Sequence, residues 1–489
     1  MKIKNILINV VLIGIIILFM ASCVNKEFQN DTFFTIALGE RTVEYGIEEF
    51  DGLVWHENLT FIHLRWLFDV LIYKINAIFG YLGIYIFVIV MSIIQGLLYY
   101  TIANKITKNK IMSFLATIIT MYFTKGEIAA RGQVMSFTLF LLEFYCIEQL
   151  IETNKNRYAL LLLIIPVLIV NFHASVFPVY FVFYLPYIAE YILSKINLKN
   201  DKECKLVVEK RNIIKLIILM ICGLALGFCS PIGINAYKYM FNVMSGVSAD
   251  FISELQPIDL MRESFYTFLL CAIIGMFAFT KTKVRITDAL YIIGFILLSL
   301  PTYRCIFFFY LFGSLCFLRI LNDFIKDHNF DTSFINSKVK LIVYSVILIN
   351  ITIFSISELF NEMVEDYVNS ADMPINATNY ILANIDLEEM RIFNHFNFGS
   401  YLEEKGIKVF LDSRSEMYTE EFNPGVTILK DWRSATTGEE NYKKLFNEYK
   451  ITHALLYNDE LINQYISEDE EWTRIYQDDR FSLYEKNNK

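Results

Sequence analysis

Apolar residues in this chain come in blocks, most of them roughly 17 to 22 residues long and separated by short charged patches, and that pattern decides most of what the chain can become. A helix of that length crosses about 30 Å of hydrocarbon, the thickness of a bilayer core. Composition agrees, with 55% of the 489 residues hydrophobic, 19% charged, 43 Phe and 30 Tyr, and a mean hydropathy of +0.42. The bulk of the chain reads as a polytopic α-helical membrane protein. A soluble multidomain enzyme, a disordered scaffold and a fibrous repeat protein are excluded, and a net charge of -9 removes nucleic acid from the partners. Abundant Ile, Asn, Lys and Tyr point to an AT-rich bacterial genome.

About eleven transmembrane helices are expected, at 5–24, 81–102, 111–124, 133–150, 158–171, 174–194, 213–230, 264–280, 287–301, 303–320 and 339–358. With Lys2 and Lys4 in the cytoplasm, alternate loops obey the positive-inside rule: cytoplasmic segments and their flanks hold 21 of the 43 basic residues and the opposite loops nine. The chain is then N-in and C-out in the cytoplasmic membrane, and 359–489, with 13 basic and 26 acidic residues, is extracytoplasmic. The first segment also resembles a signal peptide ending in Met20-Ala21-Ser22-Cys23, but its apolar stretch is long enough to span. Seven of the eight cysteines lie in or beside spans, so neither a disulfide framework nor metal-type spacing is expected.

Two domains follow. Residues 1–358 form the transmembrane domain, with an outward loop at 25–79 whose apolar residues recur at helical spacing and should lie flat in the outer interface. Residues 359–489 form a small α/β domain, with strands expected at RIFNHF, IKVFLD, ITHALLY and the pair WTRIYQ-DD-RFSLYEK, and helices near 376–384, 439–450 and 459–466.

Polar residues concentrate on the outward face: Asp31, His56, Glu57, His63, Arg65, Lys125, Glu127, Arg131, His173, Glu254 and Arg304. Ionisable groups so near a bilayer are functional candidates by default. Each also has a plainer reading. Asp31 suits an N-cap, His56 and Glu57 a solvated loop, Lys125 and Arg131 snorkelling flanks, His173 a satisfied interface histidine, and Glu254 a loop shaped by Pro257. The cytoplasmic loops show scattered charges without pattern, and no mid-span charges or inverted repeat mark a transporter.

In order, the pieces resemble a family. DTFFTIALGERTVEYG with IHLRWLFDVLIYKI, then ARGQVMSF (130–137), NFHAS (171–175), SPIGINAY (230–237), ISELQP (252–257) and FNFGSYLEEKGIKVFLDSRSEMY (396–418) are similar to GT-C-type membrane glycosyltransferases, specifically the bacterial relatives of the protein O-mannosyltransferase and lipid A sugar transferase groups. The chain departs from that pattern at Thr35, where relatives carry a histidine, at Arg65 before Trp66, at Gly132 between Arg131 and Gln133, and in lacking a Trp before Asn171. The resemblance implies a hexosyltransferase-type enzyme that takes a sugar from a polyprenyl-phosphate lipid, with Asp31 as catalytic base.

A donor of that kind keeps its tail among membrane lipids and its phosphate at the headgroup level, so basic residues must meet the phosphate and a carboxylate must deprotonate the acceptor. Lys125, Arg131 and Arg304 are expected on the phosphate, and Glu57, His173 and Glu254 around the sugar. No cofactor is required, although a divalent metal ion between carboxylates and phosphate is compatible with the chemistry. Asp412, Arg414 and Tyr418 match the family's tail motif, where a structural role competes with a catalytic one. The acceptor is a glycan, lipid or protein. The alternatives are a surface polysaccharide polymerase or ligase, and a catalytically inactive envelope-assembly protein.

Overall fold

The computed structural model describes residues 2–195, 204–205, 210–244, 256–328, 337–361, 367–438 and 441–487. They form two compact units: residues 1–25, 85–237 and 249–362 in one, and residues 26–84, 238–248 and 363–489 in the other. The outward loop, placed with the transmembrane part on sequence grounds, thus shares a compact unit with the C-terminal region.

In the first, apolar unit each expected span coincides with helix. Lys2–Ser22, Lys110–Thr124, Gln133–Thr153, Asn156–Phe172, Lys210–Leu226, Ser264–Phe279, Ile286–Ser299 and Ser337–Phe360 are continuous helices. The 174–194 segment is broken into short turns ending in the helix Leu185–Lys195, and 303–327 runs through a π-helical turn at Phe309–Gly313. Among the described residues five helical stretches are long and apolar enough to cross a membrane by length and composition: Trp66–Thr107, Gln133–Thr153, Ala174–Lys195, Tyr303–Asp327 and Lys338–Phe360. Their surroundings differ. Tyr303–Asp327 is 83% buried and Lys338–Phe360 only 6%, so the former is the unit's axis and the latter presents Leu341, Ile342 and Ile353 outward. Aromatic rings fill the centre, with Phe183 edge-on to Phe312 at 4.7 Å and Tyr99 bonded to Thr120 (3.0 Å) and Ser314 (2.6 Å).

The helix Trp66–Thr107 is broken at Gly80, whose φ of 63° and ψ of -164° suit glycine alone. The break falls one residue before the span expected to start at 81. The stretch before it belongs to the second unit.

That second unit is built from two stretches distant in sequence. The helix Asn30–Tyr45 buries a continuous run, Thr32 to Gly39, so it is a core helix and not the flat interfacial one its sequence suggested. The reason is crowding on every side. Phe33 meets Tyr401 edge-on at 5.1 Å, and a Cβ added at Gly39 would stand 2.1 Å from the Asp69 carbonyl oxygen. The following stretch is irregular, not helical, up to Trp66. It is sewn to the C-terminal region by a Val54–Val409 bridge, by the Trp55 indole donating to Ile392 O (3.1 Å), and by Thr60 donating to Asn423 Oδ1 (2.9 Å).

A four-stranded sheet carries the rest: β1 (Ile392–Asn394), β2 (His453–Tyr457), β3 (Trp472–Gln477) and β4 (Phe481–Lys486), in the order β1-β2-β4-β3. β1 and β2 are parallel, whereas β4 pairs antiparallel with both β2 and β3. The expected pair of acids makes the hairpin, with Asp478 Oδ1 accepting from the N–H groups of Arg480 (2.9 Å) and Phe481 (2.8 Å). IKVFLD is not a strand. Its Phe410 N–H and Leu411 carbonyl are taken by the Asn394 side chain, at 2.9 and 2.8 Å, in place of a ladder. The helices Ile375–Asn384, Tyr442–Glu448 and Leu461–Ser467 fall where expected, and Ile428–Thr437 is an additional one.

Candidate functional site

Asp31 lies in the first turn of the helix Asn30–Tyr45, half-buried, with Gln29 in the extended cap position. The capping role is therefore not its own. A carboxylate here meets the positive end of the helix dipole. The helix start is tied down by Asn30, whose Nδ2 donates to Phe396 O (2.9 Å). One turn on, Thr35 is fully buried. Behind it stands Asp69, 1% exposed, within reach of the Thr35 hydroxyl and of the charge on Asp31. Arg65 Nε is 4.0 Å from Asp69 Oδ1, and its guanidinium lies over the Phe34 ring at 5.1 Å. Asp69 escaped the sequence reading. Its signal was an acid inside the apolar run WLFDVLIY, four residues after Arg65 on one helix face. Glu57 is exposed.

Beneath this helix sits a buried charge cluster. Arg414 reaches Asp51, Asp412 and Glu403 (3.1 Å for the last), and its guanidinium is held between the rings of Phe34 (5.0 Å) and Phe61 (4.8 Å). Burial pushes Glu403 well above the usual carboxylate range, and neighbouring Asp412 adds to the effect. Burial would raise Asp412 too, but the Arg414 guanidinium wins and holds it low. The two neighbouring acids are thus pushed in opposite directions. Tyr418 completes the motif by accepting the Asp412 N–H (3.1 Å). The same burial lowers His63, bonded to Glu48 O (3.1 Å), to about 4, with Arg414 pushing the same way. His56, in contact with Phe410 O (2.8 Å), is likewise lowered to about 4 by burial, so it is no solvated loop residue.

The other candidates belong to the apolar unit. Arg131 is 9% exposed and precedes the helix Gln133–Thr153. In that helix Ser136 Oγ bonds to Nδ1 of the buried His173 at 2.6 Å. Ser136 and His173 are thereby brought together. Lys125 is exposed, its ammonium over the Tyr122 ring at 4.9 Å. Arg304 is exposed in the short turn Tyr303–Cys305, and Glu254 lies outside the described residues. Among the described residues no group of three or more His, Cys, Asp or Glu side chains is arranged to hold a metal ion.

Two features of this unit correct the sequence reading. Glu143 is a mid-span charge after all: it is fully buried in Gln133–Thr153, and neither carboxylate oxygen has a hydrogen-bond partner among the described residues. A single acid in FTLFLLEFYC barely dents the hydropathy of its span, which is why it passed unnoticed. The patternless charges of the opposite loops also converge. Glu148 receives both terminal nitrogens of Arg285 (3.2 Å each), one from Arg319 (3.0 Å) and the Tyr187 hydroxyl. Arg319 also donates to Asp288 (3.2 Å).

The sequence matches no protein-family model and no curated protein. Similarity emerges among solved structures. A crystal structure of the Archaeoglobus fulgidus oligosaccharyltransferase tethered to an acceptor peptide containing the NVT sequon matches 91% of this chain and 68% of its own at 10% identity, with a TM-score of 0.56. The same enzyme in the apo form matches 91% and 69% at 9% identity, TM-score 0.55. Archaeal oligosaccharyltransferase AglB from Archaeoglobus fulgidus, in complex with an inhibitory peptide and a dolichol-phosphate, gives 91%, 68%, 10% and a TM-score of 0.57. The fold of this chain is accordingly that of archaeal oligosaccharyltransferase, a GT-C-type membrane glycosyltransferase.

Proposed function

We propose that this protein is a hexosyltransferase-type membrane glycosyltransferase that moves a sugar from a polyprenyl-phosphate donor to an acceptor on the outer face of a bacterial cytoplasmic membrane. The observation that carries the reading is Asp31, in the first turn of the helix that follows the first apolar helix, in a chain with an oligosaccharyltransferase-like fold over most of its length. One of the structural neighbours is complexed with dolichol-phosphate, a lipid of the donor class proposed here. The bias of Lys and Arg toward alternate loops supports eleven crossings, N-in and C-out.

Asp31 acts as general base on the acceptor hydroxyl. The acceptor oxygen bonds to the sugar's anomeric carbon as the bond from that carbon to the phosphate oxygen breaks, and the polyprenyl phosphate leaves with the electron pair. Lys125, Arg131 and Arg304 stabilise the phosphate charge that develops, while His173, Glu57 and Glu254 hold the sugar. No step is routed through a metal ion.

The test is mass analysis of envelope glycans and lipid-linked sugars from cells carrying the wild type, a deletion and Asp31→Asn. Loss of the same glycan in both mutants, with the variant inserted at normal level, supports the reading and names the product. A deletion phenotype that Asp31→Asn does not share removes Asp31 from catalysis.

A further inference from the structure

The apolar unit holds a second polar site that the transfer reaction does not use. A cavity of about 430 Å³ opens between the ends of the helices Trp66–Thr107, Gln133–Thr153 and Ser314–Asp327. Five cationic side chains line it, Lys105, Lys108, Arg285, Arg319 and Lys326, against three carboxylates, Glu148, Glu152 and Asp323. The layers differ in kind. Arg285 and Arg319 form a fixed base, 13% and 11% exposed, locked onto Glu148. Lys105, Lys108 and Lys326 form an exposed rim.

We propose that this cavity binds a phosphate group, that of an anionic membrane lipid. A phosphate offers several strong acceptor oxygens, and the three rim ammonium groups supply matching donors above a base already fixed by the arginine–Glu148 pairs. Lys105 is held by the amide of Gln149, by the Tyr145 ring at 5.5 Å and, at 3.9 Å, by the well-exposed Glu152, all contacts an exposed ammonium group can exchange for a ligand at small cost. Beside the charges and the amides of Gln149 and Asn322, Ile102, Ile106, Ile151 and Tyr145 form an apolar part of the lining. An apolar wall next to a basic base suits a headgroup with its glycerol and upper chains, and has no use for free phosphate. The segments that converge here, around Lys105, Arg285 and Lys326, belong to the set of alternate loops in which Lys and Arg concentrate, the side on which juxtamembrane basic residues meet anionic lipid.

The test uses the full-length protein in nanodiscs of phosphatidylcholine with and without phosphatidylglycerol, read by native mass spectrometry of retained lipid and by thermal unfolding. Wild type should retain phosphatidylglycerol preferentially. The triple variant Lys105→Ala, Lys108→Ala, Lys326→Ala should bind it roughly a hundredfold more weakly, at about 1 kcal/mol per charge. Replacing the same three lysines by Arg should keep retention, and Lys155→Ala with Arg157→Ala, on the same side but outside the cavity, should leave it unchanged. Equal retention by the wild type and the folded alanine variant overturns the proposal. So does stabilisation by inorganic phosphate in phosphatidylcholine alone that depends on the three lysines while phosphatidylglycerol shows no preference, which would make the ligand a soluble phosphate.

Discussion

Each unit has its own buried arginine cluster, and the two are balanced differently. In the apolar unit two arginines, Arg285 and Arg319, face two carboxylates, Glu148 and Asp288. In the other unit a single Arg414 faces Asp51, Asp412 and Glu403. Desolvation explains the contrast. Among apolar helices a charge without a counterpart is costly, so the charges match in number. In the second unit the acids outnumber the arginine, and burial with neighbouring Asp412 pushes Glu403 well above the usual carboxylate range. Both clusters serve assembly, since each joins segments far apart in the chain, 51 with 403–414 and 148 with 285–319.

The largest effect expected from breaking this pattern is at Arg414. Arg414→Ala leaves ionised acids without their counter-charge and should destabilise the second unit by about 3–5 kcal/mol, visible as accelerated hydrogen exchange around Trp55 and Asn423 with the apolar helices still protected. Arg319→Gln should cost about 3 kcal/mol in thermal unfolding, because Asp288 loses its closest partner. The balance can be tested by removing both signs together. Arg319→Leu with Asp288→Leu should recover most of the loss, whereas Arg414→Leu with Asp412→Leu should not, since Asp51 stays buried and unpaired. Next comes packing: Gly39→Ala forces a methyl group onto the Asp69 carbonyl and should lower stability by about 1–3 kcal/mol in a denaturant titration.

The smallest effect is the pH dependence. His63 takes its proton near 6.5 when unfolded but only near about 4 when folded. The unfolded chain therefore binds more protons in between, and stability of the second unit falls as pH drops from about 6.5 toward 4. His63→Asn should flatten that slope in Trp fluorescence melts, and an unchanged slope would remove His63 from the account.

Much of the helix content was legible, because blocks of apolar residues bounded by charge leave few other solutions. The tail motif Asp412, Arg414 and Tyr418 was legible as a motif but not as a clasp. Nothing local tells that Asp51 will meet Arg414, 363 positions away in the chain. IKVFLD misled because alternating apolar residues suit a strand, while Asn394 takes the backbone groups a ladder would need. Asp31 was expected to open an amphipathic helix, and it lies in the first turn of one, but that helix proved to be core: a one-sided pattern cannot show that a second layer will cover its other face. Glu143, Glu148 and Asp69 were missed for one reason, that an acid inside an apolar run disappears when the run is averaged.

The most direct measurement is sugar transfer by the purified protein in lipid nanodiscs from a labelled polyprenyl-phosphate sugar, with the acceptor identified from the envelope analysis, comparing wild type with Asp31→Asn. The account predicts turnover by the wild type and a loss of at least about a hundredfold in the variant, the contribution of a general base, with donor binding kept. Wild-type turnover that survives Asp31→Asn unchanged would contradict it.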